Sequence, residues 1–237
     1  RASGGRPPRS EHVSDTIDEL ARLGSATVYE GGGRIGYVDA DLVQVVPGSR
    51  VAGPARTVRC AQGDNLMVHA VMASVQPGEV IVLTMPEPAP VALVGDLLAT
   101  QAQVHGAAAI LIDAAIRDVE ELREMGLPIW ARWVRVKGAE KDTPGELDVP
   151  VEVGGVTINP GDIVVLDADG AAVVEAADVD RVLAGAQARE AKEIAKRERL
   201  QAGELSYEMD GLKTVVEGDG RGAALRLGEQ ARPGAAS

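Results

Sequence analysis

The segment from Val94 to Val119, VGDLLATQAQVHGAAAILIDAAIRDV, contains most of the residues in this chain that could do chemistry. Gly95 and Asp96 stand where a helix is predicted to begin, and Arg117 and Asp118 follow the next predicted strand. Helix-terminal amides, one cation and two carboxylates in a short stretch can hold a small anion beside a divalent metal ion. The pattern is typical of an active site.

The predicted helix start supplies hydrogen-bond donors. In a helix that begins after Asp96, the amides of Leu97, Leu98 and Ala99 lack intrahelical partners and lie at the positive end of the dipole. A ligand carboxylate fits there. Taken alone, however, Asp96 is more simply explained as an ordinary N-cap, which stabilises a helix by about 1 kcal/mol.

Arg117 and Asp118 follow an apolar strand, at the kind of strand end where α/β proteins place ligands. The alternative is a surface ion pair or the start of the next helix. Asp113 lies inside the same apolar strand and its role is more ambiguous; one interpretation is a buried, hydrogen-bonded carboxylate that orients the loop.

Three further polar residues are candidate pocket residues. Glu30 precedes three glycines that allow close backbone approach, although GGGRIG is not a phosphate-binding P-loop because it lacks GK[ST]. Asn65 and His69 belong to another predicted helix start, together with Asp64, and suit a polar pocket wall. A single histidine in such a helix is nevertheless more often structural.

The lysines and the single cysteine restrict the chemistry. The five lysines stand in charged or polar settings, so none is expected to form a Schiff base at neutral pH. Chemistry at a carbonyl would therefore need a metal ion as electron sink. Cys60 alone excludes an internal disulfide and a multi-cysteine zinc site, and we expect it to be a small buried residue.

Composition indicates one globular domain with an aliphatic core. The chain has 237 residues, 45% hydrophobic but only 2% aromatic, with no phenylalanine. Its net charge of −12 disfavours nucleic-acid binding and makes each arginine in a pocket more significant. There is no signal-peptide pattern and no apolar run long enough to span a membrane, so we expect a cytoplasmic protein.

Hydrophobic periodicity predicts strands that alternate with short helices, which favours an α/β fold. The expected organisation is a flexible tail over 1–11, a catalytic domain over 12–176, a helical extension over 177–210 and a disordered low-complexity tail over 211–237. SATVYEGGGRIG is predicted to enter a glycine-rich loop, DADG to be the turn of a hairpin, and His105 to cap a helix end.

These motifs together resemble the RraA-like family, and within it the class II pyruvate aldolases that cleave 4-hydroxy-4-methyl-2-oxoglutarate and 4-carboxy-4-hydroxy-2-oxoadipate. The resemblance runs from about Leu20 to Leu205. GDLLAT followed by a strand and Arg-Asp is its most specific part. The other segments that carry it are ATVYEGGGRIG, GDNLMVHAVM, LPIWAR, NPGDIVVLDADG and KRERLQAGEL, the last of which is similar to the aldolase branch.

The resemblance implies a layered α/β fold with a core like the swivelling phosphohistidine domains and a long C-terminal helix. It also implies a homotrimer or homohexamer with active sites between subunits, and Mg²⁺ or Mn²⁺ as cofactor. In the family the metal is held largely through waters, by residues matching Asp118 and Asp96, with a glutamate from a neighbouring subunit. Glu193 matches that glutamate better than Glu190 does.

The resemblance also assigns substrate contacts. The carboxylate of the pyruvyl group is expected on the amides of Leu97 and Leu98, and Arg117 at the carbonyl end. The full set of expected substrate-binding residues is Gly95, Leu97, Leu98, Arg117, Asn65, His69 and Glu30. Arg117, Asp96 and Asp118 are the expected catalytic residues.

The predicted reaction is a retro-aldol cleavage of a 4-hydroxy-2-oxo di- or tricarboxylate to pyruvate and a second 2-oxo acid, with a water near Asp96 as base. Decarboxylation of oxaloacetate is the expected side activity. The main alternative is a non-enzymatic RraA-type regulator that binds an RNA-degradation partner. It would be expected to lack the GDLLA and Arg-Asp elements, and both are present.

Overall fold

The computed structural model of the protein describes residues 9–217, with side-chain burial described from residue 14. The chain forms two compact units, one ending at Glu190 and the other beginning at Ala191. Over residues 9–217, no helix is long and apolar enough to cross a membrane.

The first unit is built on a mixed sheet. Its strands are β1 (Val43–Gln44), β2 (Val51–Arg59), β3 (Val80–Thr84), β4 (Ala92–Val94), β5 (Ala109–Ile116), β6 (Ile129–Val134), β7 (Glu146–Leu147), β10 (Ile163–Asp167) and β11 (Gly170–Val174). The order is β1-β6-β5-β3-β2-β10-β11, with β4 beside β5 and β7 beside β2. β8 (Val151–Val153) and β9 (Val156–Ile158) form a separate hairpin. The four central strands, β6, β5, β3 and β2, are mutually parallel.

Helices cover the sheet and continue the chain into the second unit. They are α1 (Arg9–Leu23), α2 (Ser25–Gly31), α3 (Leu66–Val71), α4 (Asp96–Val104), α5 (Val119–Met125), α6 (Val179–Gln201), α7 (Ser206–Met209) and α8 (Leu212–Glu217). A 3-10 turn at Ala176–Asp178 precedes α6. The predicted alternation of strands and helices, the long C-terminal helix and the hairpin around DADG are thus confirmed.

Alternate side chains of β5 enter different cores, which explains why all eight of its residues are buried. Ile110 and Ile112 pack with α3, α4 and α5 in the helix-side core. Leu111 packs with Trp130 and the β8–β9 hairpin in the hairpin-side core. Strands buried on both faces read as continuous apolar runs, and this pattern made β3 and β5 recognisable from sequence.

One segment differs from its prediction because of a tertiary contact. Ser25–Gly31, predicted as the entry to a loop, is helix α2. Its start is held by Asp167, whose carboxylate accepts hydrogen bonds from the Ser25 N–H at 2.8 Å and the Ser25 Oγ at 2.6 Å. Gly31 allows close packing instead: a Cβ on Gly31 would lie 2.4 Å from the backbone nitrogen of Ala186 in α6.

The predicted boundaries of the two tails also differ from the structure, because helices extend into both predicted tail segments. α1 begins at Arg9, before the predicted boundary at residue 12. α8 occupies Leu212–Glu217, inside the segment predicted as disordered, because its apolar residues recur at helical spacing. The remaining predicted tail residues, 1–8 and 218–237, lie outside the described part of the chain.

Candidate active site

Strand pairing brings the two motifs together. β4 and β5 run parallel, with Val94 opposite Ile116, so the Gly95–Asp96 and Arg117–Asp118 segments leave the same edge of the sheet side by side. The Arg117 N–H donates to the Val94 carbonyl at 3.1 Å. This register is the reason why two motifs one helix and one strand apart in sequence form a single site.

Asp118 connects the two segments. Its Oδ2 accepts a hydrogen bond from the Asp96 N–H at 3.2 Å and lies 3.5 Å from the Arg117 Nε. The Asp118 backbone is left-handed, with φ 62°, which directs the carboxylate back over α4. Gly95 makes room for it, because a Cβ there would lie 2.3 Å from Asp118 Oδ2.

This arrangement corrects the capping interpretation of Asp96. The N-cap of α4 is Gly95, which makes no side-chain capping bond, and Asp96 is the first helical residue. The capping acceptor comes instead from Asp118, across the β5–α5 connection. The Asp96 carboxylate therefore belongs to the wall of the site.

Two of the three amides predicted to be free are free. The N–H groups of Leu97 and Leu98 have no acceptor among the described residues, whereas the Ala99 N–H donates to the Gly95 carbonyl at 3.1 Å. The helix dipole adds positive potential at the same point. A carboxylate placed there would satisfy both orphan donors.

These groups line a cavity of about 260 Å³. Its lining residues are Asn65, His69, Ala92, Leu93, Val94, Gly95, Asp96, Leu97, Leu98, Arg117, Gly138, Ala139 and Lys141. Asn65 and His69, predicted as pocket residues from the start of α3, are thus found beside the Asp96 and Arg117 motifs. The N-cap of α4 and the N-cap of α3 meet at one opening.

Asn65 has an unused acceptor. Its Nδ2 donates to the Leu93 carbonyl at 2.9 Å, which fixes the amide, while its buried Oδ1 has no partner among the described residues. A buried acceptor without a partner is costly unless a ligand or water satisfies it. The pKa of His69 lies below its ordinary value, first because of burial and second because of nearby Lys141.

Sequence reasoning missed the loop that carries Gly138 and Lys141. Asp64 Oδ2 accepts the N–H groups of Asp142 at 2.7 Å and Thr143 at 2.9 Å, which ties this loop to the start of α3. Burial raises the pKa of Asp64, but these bonds and that from the Leu66 N–H outweigh it and hold the pKa below its ordinary value. The sequence signal that could have revealed this part of the site is Gly138 close to Lys141 in a polar loop.

The remaining predicted residues lie elsewhere. Glu30, on α2, pairs with Arg34 at 2.9 Å and with Arg189 at 3.5 Å and does not line this cavity. Glu190 pairs with Arg22 at 2.7 Å. Glu193 lies on α6 within the second unit. His105 is the C-cap of α4, as predicted.

The donor set suits a hard divalent cation that keeps part of its water shell. Asp96 and Asp118 supply carboxylate oxygens, and Mg²⁺ is typically held by one or two carboxylates plus waters. Among the described residues no group of three or more His, Cys, Asp or Glu side chains is placed to hold a metal ion. A third protein ligand would therefore have to come from outside this set.

Comparison with known proteins identifies the family of the chain. The family described as RraA-like, Aldolase/RraA, matches residues 12–173, which is most of the chain. The chain belongs to the RraA-like family. It is 39% identical over 188 residues, covering 79% of this chain and 82% of the relative, to a Halalkalibacterium halodurans protein named "Putative 4-hydroxy-4-methyl-2-oxoglutarate aldolase".

Solved structures show the same RraA-like fold. Streptomyces coelicolor RraAS2, described as an unusual member of the RNase ES inhibitor RraA protein family, matches with a TM-score of 0.69 at 33% identity, covering 81% of this chain and 98% of that one. An uncharacterized protein from Pseudomonas syringae pv. tomato matches with a TM-score of 0.72 at 26% identity, covering 81% and 94%. The family thus includes proteins named for two different activities.

Proposed function

We propose that the protein is a divalent-metal-dependent aldolase that cleaves a 4-hydroxy-2-oxo di- or tricarboxylate to pyruvate and a second 2-oxo acid. The observation that carries the proposal is the convergence of the free Leu97 and Leu98 amides, Arg117 and the Asp96 carboxylate on one cavity, with the Asp118 carboxylate hydrogen-bonded to the Asp96 N–H. The name of the Halalkalibacterium halodurans relative supports the same reaction class. The substrates we propose are 4-hydroxy-4-methyl-2-oxoglutarate and 4-carboxy-4-hydroxy-2-oxoadipate.

The pyruvyl end of the substrate is oriented by α4. Its carboxylate accepts hydrogen bonds from the Leu97 and Leu98 amides, where the helix dipole favours negative charge. The 2-oxo oxygen then faces Arg117, whose guanidinium is half-exposed and unobstructed because Gly138 has no side chain beside it. Lys141 adds positive charge in an otherwise acidic protein.

Cleavage breaks the C3–C4 bond, and its electron pair moves into the C2–C3 bond to give the enolate of pyruvate. Arg117 stabilises the negative charge that develops on the 2-oxo oxygen. The proton of the C4 hydroxyl passes to a water held beside the Asp96 carboxylate, and the C4–O bond becomes the carbonyl of the second product. A water of the same network returns a proton to C3. Oxaloacetate that loses CO₂ gives the same enolate, so its decarboxylation is the expected side activity.

Asp118 and Asp96 are the residues that would hold Mg²⁺ or Mn²⁺, with Glu193 of a second copy of the chain as a further ligand. When bound, the metal supplies Lewis acidity toward the 2-oxo and carboxylate oxygens. The Asp96 N–H and Arg117 Nε fix the Asp118 carboxylate in place, which keeps one of its oxygens available. Glu30 is proposed to contact substrate from the neighbouring copy as well.

Exposed apolar side chains support assembly into a trimer or hexamer. On α4, which lines the cavity, Leu97 is 75% exposed and Val104 is 77% exposed, seven residues apart and so on one face of the helix. The second unit also presents exposed apolar residues, among them Ile194, Leu200 and Leu205. Patches of this kind on a protein surface mark interaction sites. We propose that a second copy covers the exposed residues of α4 and contributes Glu193 to the active site.

The test is pyruvate release, followed with lactate dehydrogenase and NADH, from the two hydroxy acids and from oxaloacetate, with Mg²⁺ or with EDTA. Rapid release from a hydroxy acid that EDTA stops is the expected result. Release from oxaloacetate alone would overturn the substrate assignment, and release that EDTA does not affect would overturn the metal dependence.

The likeness to RraAS2 favours one other candidate, a regulator that binds a ribonuclease. Capture of a ribonuclease by the purified protein, without pyruvate release from any of the three acids, would establish that function instead. The presence of Arg117 and Asp96 in a formed cavity favours the aldolase, because partner binding alone requires neither an open pocket nor orphan amides.

A further inference from the structure

A second, larger cavity lies at the carboxyl ends of the central strands. Its volume is about 650 Å³, within the range of small-molecule sites. It is lined by Arg59, Thr84, Met85, Pro86, Pro88, Asp113, Arg132, Pro150, Val151, Glu152, Gly154, Gly155 and Thr157. None of these residues lines the candidate active site. Ligands in open α/β sheets bind at this end of parallel strands.

A buried ion pair forms part of its wall. Arg132 Nε donates to Asp113 Oδ1, and the side chains are 21% and 4% exposed. Asp113 Oδ2 and both terminal nitrogens of Arg132 have no hydrogen-bond partner among the described residues. A guanidinium whose Nε is engaged still presents its two terminal nitrogens for a carboxylate. The pair therefore has unused donors and an unused acceptor in a cavity.

The two other charged residues that line the cavity, Arg59 and Glu152, differ in whether their side chains are already paired. Arg59 already pairs with Glu146 outside the lining. The Glu152 side chain has no ion pair or hydrogen bond within the described residues, and it lies close enough to Asp113 to act on its pKa. The pKa of Asp113 is raised first by burial, against the effect of Arg132, and further by Glu152. The uncompensated charge in the cavity is thus negative, next to free guanidinium donors.

We propose that this cavity binds a free α-amino acid with an apolar side chain. The ligand carboxylate contacts the terminal nitrogens of Arg132, and the ammonium group lies between Glu152 and Asp113 Oδ2. The apolar side chain packs on the wall formed by Met85, Pro86 and Pro88.

Both charged groups of the ligand are required by this charge balance. A simple carboxylate would leave the buried Asp113 Oδ2 without a partner and would add a second negative charge near it. A simple amine would leave the terminal nitrogens of Arg132 unsatisfied. Only a zwitterion satisfies both Arg132 and Asp113, since the charge of a buried carboxylate such as Asp113 is stabilised when it is paired and hydrogen-bonded, and the exposed Glu152 adds negative charge beside the ammonium group.

Titration calorimetry on the whole protein tests the proposal with three probes of matched shape. L-Leucine is the zwitterion, 4-methylpentanoate lacks the ammonium group and 3-methylbutylamine lacks the carboxylate. We expect saturable binding of L-leucine and affinities lower by about tenfold or more for the other two, because each loses a charge-assisted contact. No saturable heat with L-leucine, or equal affinity for a truncated probe, would overturn the proposal.

The matched variants are Glu152→Gln and Glu124→Gln. The Glu152 side chain is exposed and makes no hydrogen bond or ion pair within the described residues, so its substitution leaves the fold intact, unlike removal of Arg132 from its buried pair. Glu124 is an exposed glutamate on α5, outside the cavity. L-Leucine affinity should fall about tenfold in Glu152→Gln and remain unchanged in Glu124→Gln. Unchanged affinity in Glu152→Gln would refute the assignment.

Discussion

The Asp118 carboxylate accepts the backbone N–H of Asp96 at 3.2 Å, so a residue at the start of α5 caps helix α4. This bond fixes the relative position of the two motifs that carry the proposed chemistry. It also leaves the next two amides of α4, those of Leu97 and Leu98, open to the cavity. Structural capping and the proposed ligand binding are thus divided among the first three amides of one helix.

Gly95→Ala should disable the site without unfolding the protein. The added Cβ would lie 2.3 Å from Asp118 Oδ2, so the carboxylate must rotate away from the Asp96 N–H. We expect turnover to fall about 10²-fold, the effect of displacing one electrostatic group. Gly48→Ala is the control for general glycine strain, because Gly48 has positive φ but open space around it. Equal turnover in the two variants would contradict the role of the Gly95–Asp118 contact.

Asp118→Asn should keep the fold and lose Mg²⁺-dependent turnover. Asparagine tolerates the left-handed backbone at φ 62° better than alanine does, so the substitution isolates the charge. Asp148→Asn is the matched control, since Asp148 is also left-handed, with φ 55°. Circular dichroism would establish the fold, and Mg²⁺ titration of pyruvate release would give the activity. Retained metal-dependent turnover in Asp118→Asn would exclude Asp118 as a metal ligand.

Arg117→Ala should lower kcat for pyruvate release by about 10²-fold or more, because one electrostatic stabiliser of an oxyanion contributes roughly 3 kcal/mol. Arg117→Lys should recover part of the rate, since it restores charge but not the planar guanidinium. Arg135→Ala, at an exposed arginine in the next loop, should behave as wild type. A folded Arg117→Ala protein with near-normal kcat would disprove the proposed mechanism.

Lys141→Met should raise the pKa of His69. Burial and then the Lys141 charge hold that pKa below its ordinary value, because both disfavour the imidazolium. The substitution removes the Lys141 charge, so the pKa of His69 rises, while burial still holds it below its ordinary value. NMR titration of the imidazole signals measures it, with His69→Gln for assignment and Lys137→Met as control. An unchanged His69 titration would mean that Lys141 does not act on this cavity.

Arg22→Gln should lower stability at neutral pH but not in strong acid. Arg22, helped by Gln187, holds the pKa of Glu19 at about 2, and it also holds the pKa of Glu190 below its ordinary value. Stability from depressed carboxyl pKa values is present above the ordinary value near 4.5 and is lost as pH falls toward 2. Thermal melts at pH 7 and pH 2 should therefore differ from wild type only at pH 7. A variant that melts like wild type at pH 7 would show that this network, which joins α1 to α6, does not contribute.

The sequence by itself determined the alternation of elements and most of the proposed site. β3 and β5 were recognisable because strands covered on both faces are continuously apolar, and the orphan amides follow from any helix that begins near Asp96. The Arg-Asp pair was recognisable because it follows a buried strand. All of these signals lie within one element and its immediate neighbours.

The tertiary structure decided what depends on contacts between distant residues. Asp167 accepts hydrogen bonds at the start of the Ser25–Gly31 helix. Asp64 ties the loop that carries Gly138 and Lys141 to the start of α3, beside the cavity. Nothing in the sequence near either segment identifies these partners. The register of β4 on β5 decides that Asp118, not Asp96, provides the cap of α4. The cavity around Asp113 and Arg132 arises in the same way, because adjacent strands of a parallel sheet come from separated stretches of chain.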